Sequence, residues 1–145
     1  MQDDFGLMQI KTPVIQIPDK KNSIYVKRDD LLPFSFGGNK VRIALEFIND
    51  MKKQGKDCIV GYGNARSNLS RALANLCYQF KIPCHIISPA DEDGTRIDTY
   101  NSKMVLSCDA KFHYCSKTNV KETVESVLKD IRKEGLKPYY IYGDS

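Results

Sequence analysis

Apolar positions along this chain change period several times, and each change predicts an element. From Asp57 onward, short apolar or β-branched runs alternate with stretches whose apolar residues recur every three to four positions, the signature of a parallel sheet joined by crossover helices. The runs Cys58 to Tyr62, Pro83 to Ser88, Lys111 to Cys115 and Pro138 to Tyr142 predict four strands, each bounded by Gly, Pro, Asp or Ser. Between them the 3.6 period predicts helices. Val41, Ala44, Leu45, Ile48 and Met51 form one stripe, with Gly55 placed as a C-terminal cap. A second helix runs from about Arg66 to Phe80 and turns Leu69, Leu73, Leu76, Cys77 and Phe80 inward, and a third spans about Arg96 to Ser107. The fourth is the most regular, with Val120, Val124, Val127, Leu128 and Ile131 on one stripe and Gly135 at its end. The expected fold class is α/β: an open parallel four-stranded sheet with helices on both faces.

The first 36 residues follow another pattern. Thr12 to Ile17 and Ile24 to Lys27 look extended, but Pro13, Pro18 and Pro33 interrupt the segment and no helix intervenes. A lone strand pair needs further strands or a covering helix. These strands are therefore expected to belong to another sheet, completed by a partner or by sequence outside this chain.

Composition narrows the function. The 145 residues suit one domain or one lobe of something larger, and apolar and charged fractions of 41% and 28% argue against disorder. The net charge of +4 is spread as mixed signs rather than gathered in a basic block, so no nucleic-acid partner is expected. Met1-Gln2-Asp3-Asp4 is acidic where a secretory signal is basic, and no apolar run approaches membrane-spanning length. A cytoplasmic location and no membrane partner are expected. The five cysteines are odd in number and none has a metal-like spacing with His85 or His113, so reduced structural thiols and no metal are expected.

Two segments carry candidate chemistry. Gly37-Gly38-Asn39-Lys40 sets a lysine in the first turn of the first helix, beside glycines that leave room for a bulky ligand. A lysine amine held away from water can attack a carbonyl. The alternative is a glycine turn followed by a solvated lysine. In the second segment, Gly61-Tyr62-Gly63-Asn64-Ala65-Arg66-Ser67-Asn68, a strand's carboxyl end turns into a helix N-terminus, where free N–H groups favour carboxylates or phosphates. Ser67 and Asn68 would add side-chain hydrogen bonds, or else only cap the helix. A dinucleotide fingerprint fits poorly, because Arg66 holds the place of its third glycine.

Together these segments resemble one family. The run Ile24 to Arg42 (IYVKRDDLLPFSFGGNKVR), preceded by Thr12-Pro13 and followed by Ser67, Asn68 and Arg71 in an SNxxR block, resembles the D-cysteine desulfhydrase and 1-aminocyclopropane-1-carboxylate (ACC) deaminase branch of the fold-type II pyridoxal-phosphate enzymes. The tail Gly135 to Tyr139 resembles that branch's entry into its last small-domain strand. The resemblance implies pyridoxal phosphate as cofactor and a small amino acid as substrate. Lys40 matches the Schiff-base lysine that also moves the substrate's α-proton, Asn68 the residue that bonds the cofactor's phenolic oxygen, and Ser67 the residue near the substrate carboxylate. Leu69 stands where the family usually carries His or Gln, and no catalytic role is assigned to Asn39 or Arg42.

The resemblance further implies a division into residues 1–36, the N-terminal strands of a large domain, and residues 37–145, the small domain. It implies that the phosphate loop, the partner of the pyridine nitrogen and the late tyrosines lie outside these residues. The expected activity is β-elimination or deamination of a small amino acid, absent from the chain by itself, with a homo-oligomer or a complementary large-domain chain as partner. Two rivals stay open: a non-catalytic fragment or split subunit, and a nucleotide or small-anion binding module using the Gly61 to Ser67 turn.

Overall fold

The computed structural model describes residues 10–90 and 98–141. The described residues build two separate sheets. β1 (Val14–Ile17) and β2 (Ile24–Lys27) pair antiparallel, with Val14 opposite Lys27 and Ile17 opposite Ile24. After α1 (Asn39–Lys53), the chain alternates β3 (Cys58–Tyr62), α2 (Asn68–Gln79), β4 (Cys84–Pro89), α3 (Tyr100–Ser107), β5 (Lys111–Cys115), α4 (Val120–Lys133) and β6 (Pro138–Tyr140). The four strands β3 to β6 form one all-parallel sheet in the order β5-β4-β3-β6.

That order explains where the helices lie. From β3 through β4 to β5 the chain advances in one direction, then reverses to place β6 on the far side of β3. Right-handed crossovers put helices on opposite faces when the direction reverses. Accordingly, Ile59 and Ile86 point to a core shared with α1, α2 and α3, whereas Cys58, Val60 and Ile87 point to α4 through Val124, Val127 and Ile131. Central β3 is covered on both faces, which is why Cys58, Ile59 and Val60 read as an unbroken apolar run. Each fully buried side chain such as Leu73, Leu76 or Ile86 contributes about 1.5 to 3 kcal/mol relative to exposure.

The expected α/β architecture is present, with small shifts at element ends. Five residues expected on the inner stripe of α1 are all buried. Pro83 precedes its strand rather than starting it: its carbonyl accepts a bond from the Ile59 N–H at 2.9 Å, and pairing by register begins at Cys84. α2 starts at Asn68, not Arg66, because Asn64 closes a turn first. Its Oδ1 accepts from the Arg66 N–H at 3.0 Å and its carbonyl from the Ser67 N–H at 3.0 Å. Leu69 and Phe80 are half-buried and pack on the rim of the core. Arg96 and Tyr142, expected at a helix start and a strand end, lie outside the described residues.

The hairpin of β1 and β2 stays apart from the parallel sheet. Alternation puts Ile15, Ile17, Ile24 and Val26 on one of its faces. Ile15, Ile17 and Ile24 are exposed there. Among the described residues, no helix is long and apolar enough to cross a membrane.

Candidate active site

Lys40 is the second residue of α1, directly after a tight loop. Gly37 and Gly38 adopt φ of 70° and 91°, and a side chain at Gly37 would collide with the Asp30 carbonyl. The Gly38 N–H donates to the Asp29 carbonyl and the Gly37 N–H to the Phe34 carbonyl, both at 2.7 Å. The two glycines are therefore required to bend the chain against the Asp29–Asp30 turn and launch α1. Lys40 is half-buried, and its amine has no hydrogen bond or ion pair among the described residues.

The second segment forms the turn between β3 and α2. Ser67 is the N-cap: its Oγ accepts from the Ser70 N–H at 3.1 Å. The capping role weighed for Ser67 is thus real, and it leaves the Ser67 hydroxyl proton free for another acceptor. Asn68 is exposed, and its Oδ1 accepts from Asn101 Nδ2 at 3.0 Å. Asn101 Nδ2 also donates to the Arg66 carbonyl at 2.9 Å, and Thr99 Oγ1 donates to the Ala65 carbonyl. The start of α3 thereby braces the turn and orients the Asn68 amide, whose Nδ2 keeps no partner among the described residues. Ser70 Oγ is buried and has no hydrogen-bond partner among the described residues. A Cβ on Gly63 would lie 2.6 Å from both Ser67 Oγ and Ser70 Oγ, so only glycine fits there.

The two segments meet. α1 packs on α2 in one core, and the Arg71 guanidinium of α2 lies over the Phe36 ring, 5.6 Å from its centroid. Between them the two segments present the Lys40 amine, uncommitted among the described residues, the Asn68 amide N–H donor, and a helix N-terminus with the Ser67 hydroxyl. Helix N-termini hold anions through their free N–H groups. This donor set fits a flat aldehyde with a ring oxygen and a carboxylate-bearing companion.

All five cysteines are free, four of them buried, and burial pushes the Cys58 thiol up to about 12, far from a reactive thiolate. Among the described residues there is no cluster of His, Cys, Asp and Glu able to hold a metal. Sequence reasoning missed the bracing by Thr99 and Asn101, because their partners are more than thirty positions away, and missed the Arg71–Phe36 contact. It also assigned nothing to Arg42, which forks onto Asp29. The only sequence signal for these is that Arg42 and Arg71 recur inside the two segments.

Comparison with known proteins bears on the family and on the fold. The family described as pyridoxal-phosphate dependent enzyme matches residues 7–144. A D-cysteine desulfhydrase of Klebsiella pneumoniae is 29% identical over 151 aligned positions, covering 93% of this chain and 44% of that protein. One from Serratia proteamaculans is 28% identical over 123 positions, covering 81% of this chain and 37% of that protein. The chain thus spans less than half the length of these relatives. Among solved structures, that of an ACC deaminase homologue superposes with a TM-score of 0.76 at 22% identity, covering 93% of this chain and 42% of that one. A cysteine synthase of Entamoeba histolytica superposes with a TM-score of 0.66 at 15% identity, covering 94% and 42%. The likeness to solved structures carries the fold, and the match over residues 7–144 carries the family: this chain belongs to the pyridoxal-phosphate-dependent enzymes, in their fold-type II form.

Proposed function

We propose that this chain carries the lysine-bearing and substrate-orienting part of an enzyme that acts on a small amino acid by β-elimination or deamination, as D-cysteine desulfhydrases do. The observation that carries the reading is Lys40: a half-buried amine with no partner among the described residues, set on a helix that packs against the one capped by Ser67. The D-cysteine desulfhydrase relatives support the substrate class.

Pyridoxal phosphate, when bound, supplies an aldehyde for Lys40 and an electron sink for charge that develops at the substrate's Cα. The roles left to this chain are positioning and proton transfer. Lys40, held by the first turn of α1, accepts the proton from Cα and passes it to the group that leaves Cβ. Asn68 Nδ2, steadied through the Asn101 bond to its Oδ1, donates to the ring oxygen. The Ser67 hydroxyl and the first N–H groups of α2 orient the substrate carboxylate, and the positive end of the helix dipole favours that charge. Residues 1–36 act as strands of a large domain and residues 37–145 as the small domain, in a cytoplasmic protein. The exposed apolar face of the hairpin, with Ile15, Ile17 and Ile24, favours a second reading: association with another copy or with a chain that supplies the rest of the enzyme.

Incubation with pyridoxal phosphate, borohydride reduction and peptide mapping test the proposal. Label is expected mainly on Lys40 and lost in Lys40→Ala. Label spread evenly over exposed lysines overturns it. The chain by itself is expected to release no appreciable ammonia from D-cysteine or ACC, and turnover that disappears in Lys40→Ala would show that no partner is needed.

A further inference from the structure

Four consecutive residues before α1 sit at positive φ: Ser35 at 49°, Phe36 at 62°, Gly37 at 70° and Gly38 at 91°. Glycine takes such angles freely, but a bulky aromatic residue there is a strained outlier that persists only where its surroundings hold it. The backbone bonds of Gly37 and Gly38 fix the loop's end, and Phe34 packs on Phe80 with ring centroids 6.3 Å apart. The Phe36 side chain itself is 76% exposed. Arg71 lies over that ring, with its guanidinium carbon 5.6 Å from the centroid. Arg71 Nε is buried and has no hydrogen-bond acceptor among the described residues, where the Phe36 face is the contact its guanidinium makes.

Both residues stand one turn from the candidate chemistry. Arg71 follows Ser67 by four positions on α2, and helical side chains lean back toward the N-terminus, over the turn that carries Ser67 and Asn68. Phe36 precedes Lys40 by four positions and belongs to the loop that launches α1. A contact of this kind at an exposed ring is weak as a source of stability. Orientation is another matter, because a small displacement of a reacting group costs far more rate than stability.

We infer that Phe36 and Arg71 are a positioning pair: the guanidinium stacked on the ring holds residues 35–38 against the first turn of α2 and sets the direction of Lys40 relative to Asn68. This rests on the reading of Lys40 as the cofactor lysine. The pair touches neither substrate nor cofactor; it acts through the loop.

The test uses the 145-residue chain with Phe36→Leu, Phe36→Tyr, Arg71→Gln, Arg71→Lys and the double variant Phe36→Leu/Arg71→Gln. Three quantities are read: borohydride-fixed pyridoxal phosphate on Lys40 relative to exposed Lys20 and Lys21, amide exchange at Gly37 and Gly38, and Tm. Phe36→Leu and Arg71→Gln are each expected to lower the relative labelling of Lys40 by about tenfold and to speed exchange at Gly37 and Gly38, with Tm little changed. The double variant should do no worse than either single one, since both remove the same contact. The conservative variants Phe36→Tyr and Arg71→Lys, which keep a ring and a cation in place, should retain most of the signal. Unchanged labelling with unchanged exchange, additive losses, or losses that follow Tm and extend to the conservative variants overturn the pair. If the unaltered chain labels Lys40 no better than Lys20 and Lys21, the cofactor-lysine reading falls instead. The pair is then judged by exchange at Gly37 and Gly38, which must still quicken in Phe36→Leu and Arg71→Gln.

Discussion

Arg42 forks onto Asp29, with Nε donating to Oδ2 and Nη2 to Oδ1, both at 2.9 Å. The same Nη2 reaches the Ile10 carbonyl at 3.1 Å and Thr12 Oγ1 at 3.2 Å. Lys27 Nζ donates to the Thr12 carbonyl at 2.8 Å, and Thr12 Oγ1 donates to Asp29 Oδ1 at 2.6 Å. The helix that bears Lys40 is thereby tied to the hairpin through one partly buried polar knot. Arg42→Gln removes the fork and strands the Asp29 carboxylate. Amide exchange in β1 and β2 is expected to quicken on the order of tenfold, with the parallel sheet unaffected. Unchanged protection of the hairpin would show that the knot holds nothing.

The same knot has an acid limit. The Arg42 hydrogen bond, and after it that of Thr12, holds the Asp29 carboxyl down at about 2 from an ordinary 3.8. A carboxylate depressed on folding contributes stability that is complete above its ordinary range and is lost as pH falls through the folded value. Hairpin amide protection is therefore expected to decline between about pH 4 and pH 2 in the native chain and to show no such step in Asp29→Asn. A step that survives in Asp29→Asn would assign it to other carboxylates.

A second titration lies in the parallel sheet. His85 Nδ1 and His113 Nε2 sit 2.8 Å apart on neighbouring strands, so one ring donates and the other must stay neutral to accept. Burial first, then His113 and Lys111, bring His85 down to about 4, with Glu134 acting the other way. Burial and then Lys111 also lower His113, opposed by Asp130. In the unfolded chain both rings gain protons near 6.5 while the folded pair refuses them, so stability is complete above 6.5 and falls with pH toward 4. Urea unfolding should show stability falling over that interval, and falling less in His113→Gln. A flat profile from pH 7 to 4 would refute the assignment.

Gly63→Ala probes the turn beside Ser67. Its Cβ would lie 2.6 Å from Ser67 Oγ and Ser70 Oγ, and Ser70 is 1% exposed with no room to retreat. Overpacking of this kind costs about 1 to 3 kcal/mol. Thermal melts should register that loss, together with weaker labelling of Lys40 by pyridoxal phosphate because the α2 N-terminus shifts. An unaltered Tm would mean the turn yields easily.

The exposed apolar face of the hairpin predicts association. Ile15, Ile17 and Ile24 lie on one face and are each at least two-fifths exposed, an unusual grouping for a surface left to water. Sedimentation of the pure chain is expected to show concentration-dependent self-association. Ile15→Thr/Ile24→Thr, which keeps strand-forming residues, should return it toward monomer. A strict monomer for the unaltered chain would remove this surface from consideration.

The sequence by itself determined the layered α/β plan, because that plan rests on local signals: short apolar or β-branched runs, the 3.6 period between them, and glycines that end α1 and α4 with φ of 65° and 83° at Gly55 and Gly135. It also marked Lys40, Ser67 and Asn68 as candidates, since two short motifs surround them. Where those motifs stand relative to each other depended on chain separated by many positions. Only folding brought Phe36 under Arg71, Asn101 onto Asn68 and Thr99 onto Ala65. The same holds for the sheet order, since β6 pairs with β3 rather than with β5, its neighbour in sequence. Such pairings leave no periodic trace, because they are decided by which face each crossover helix covers and by which polar groups remain to be satisfied once the core is closed.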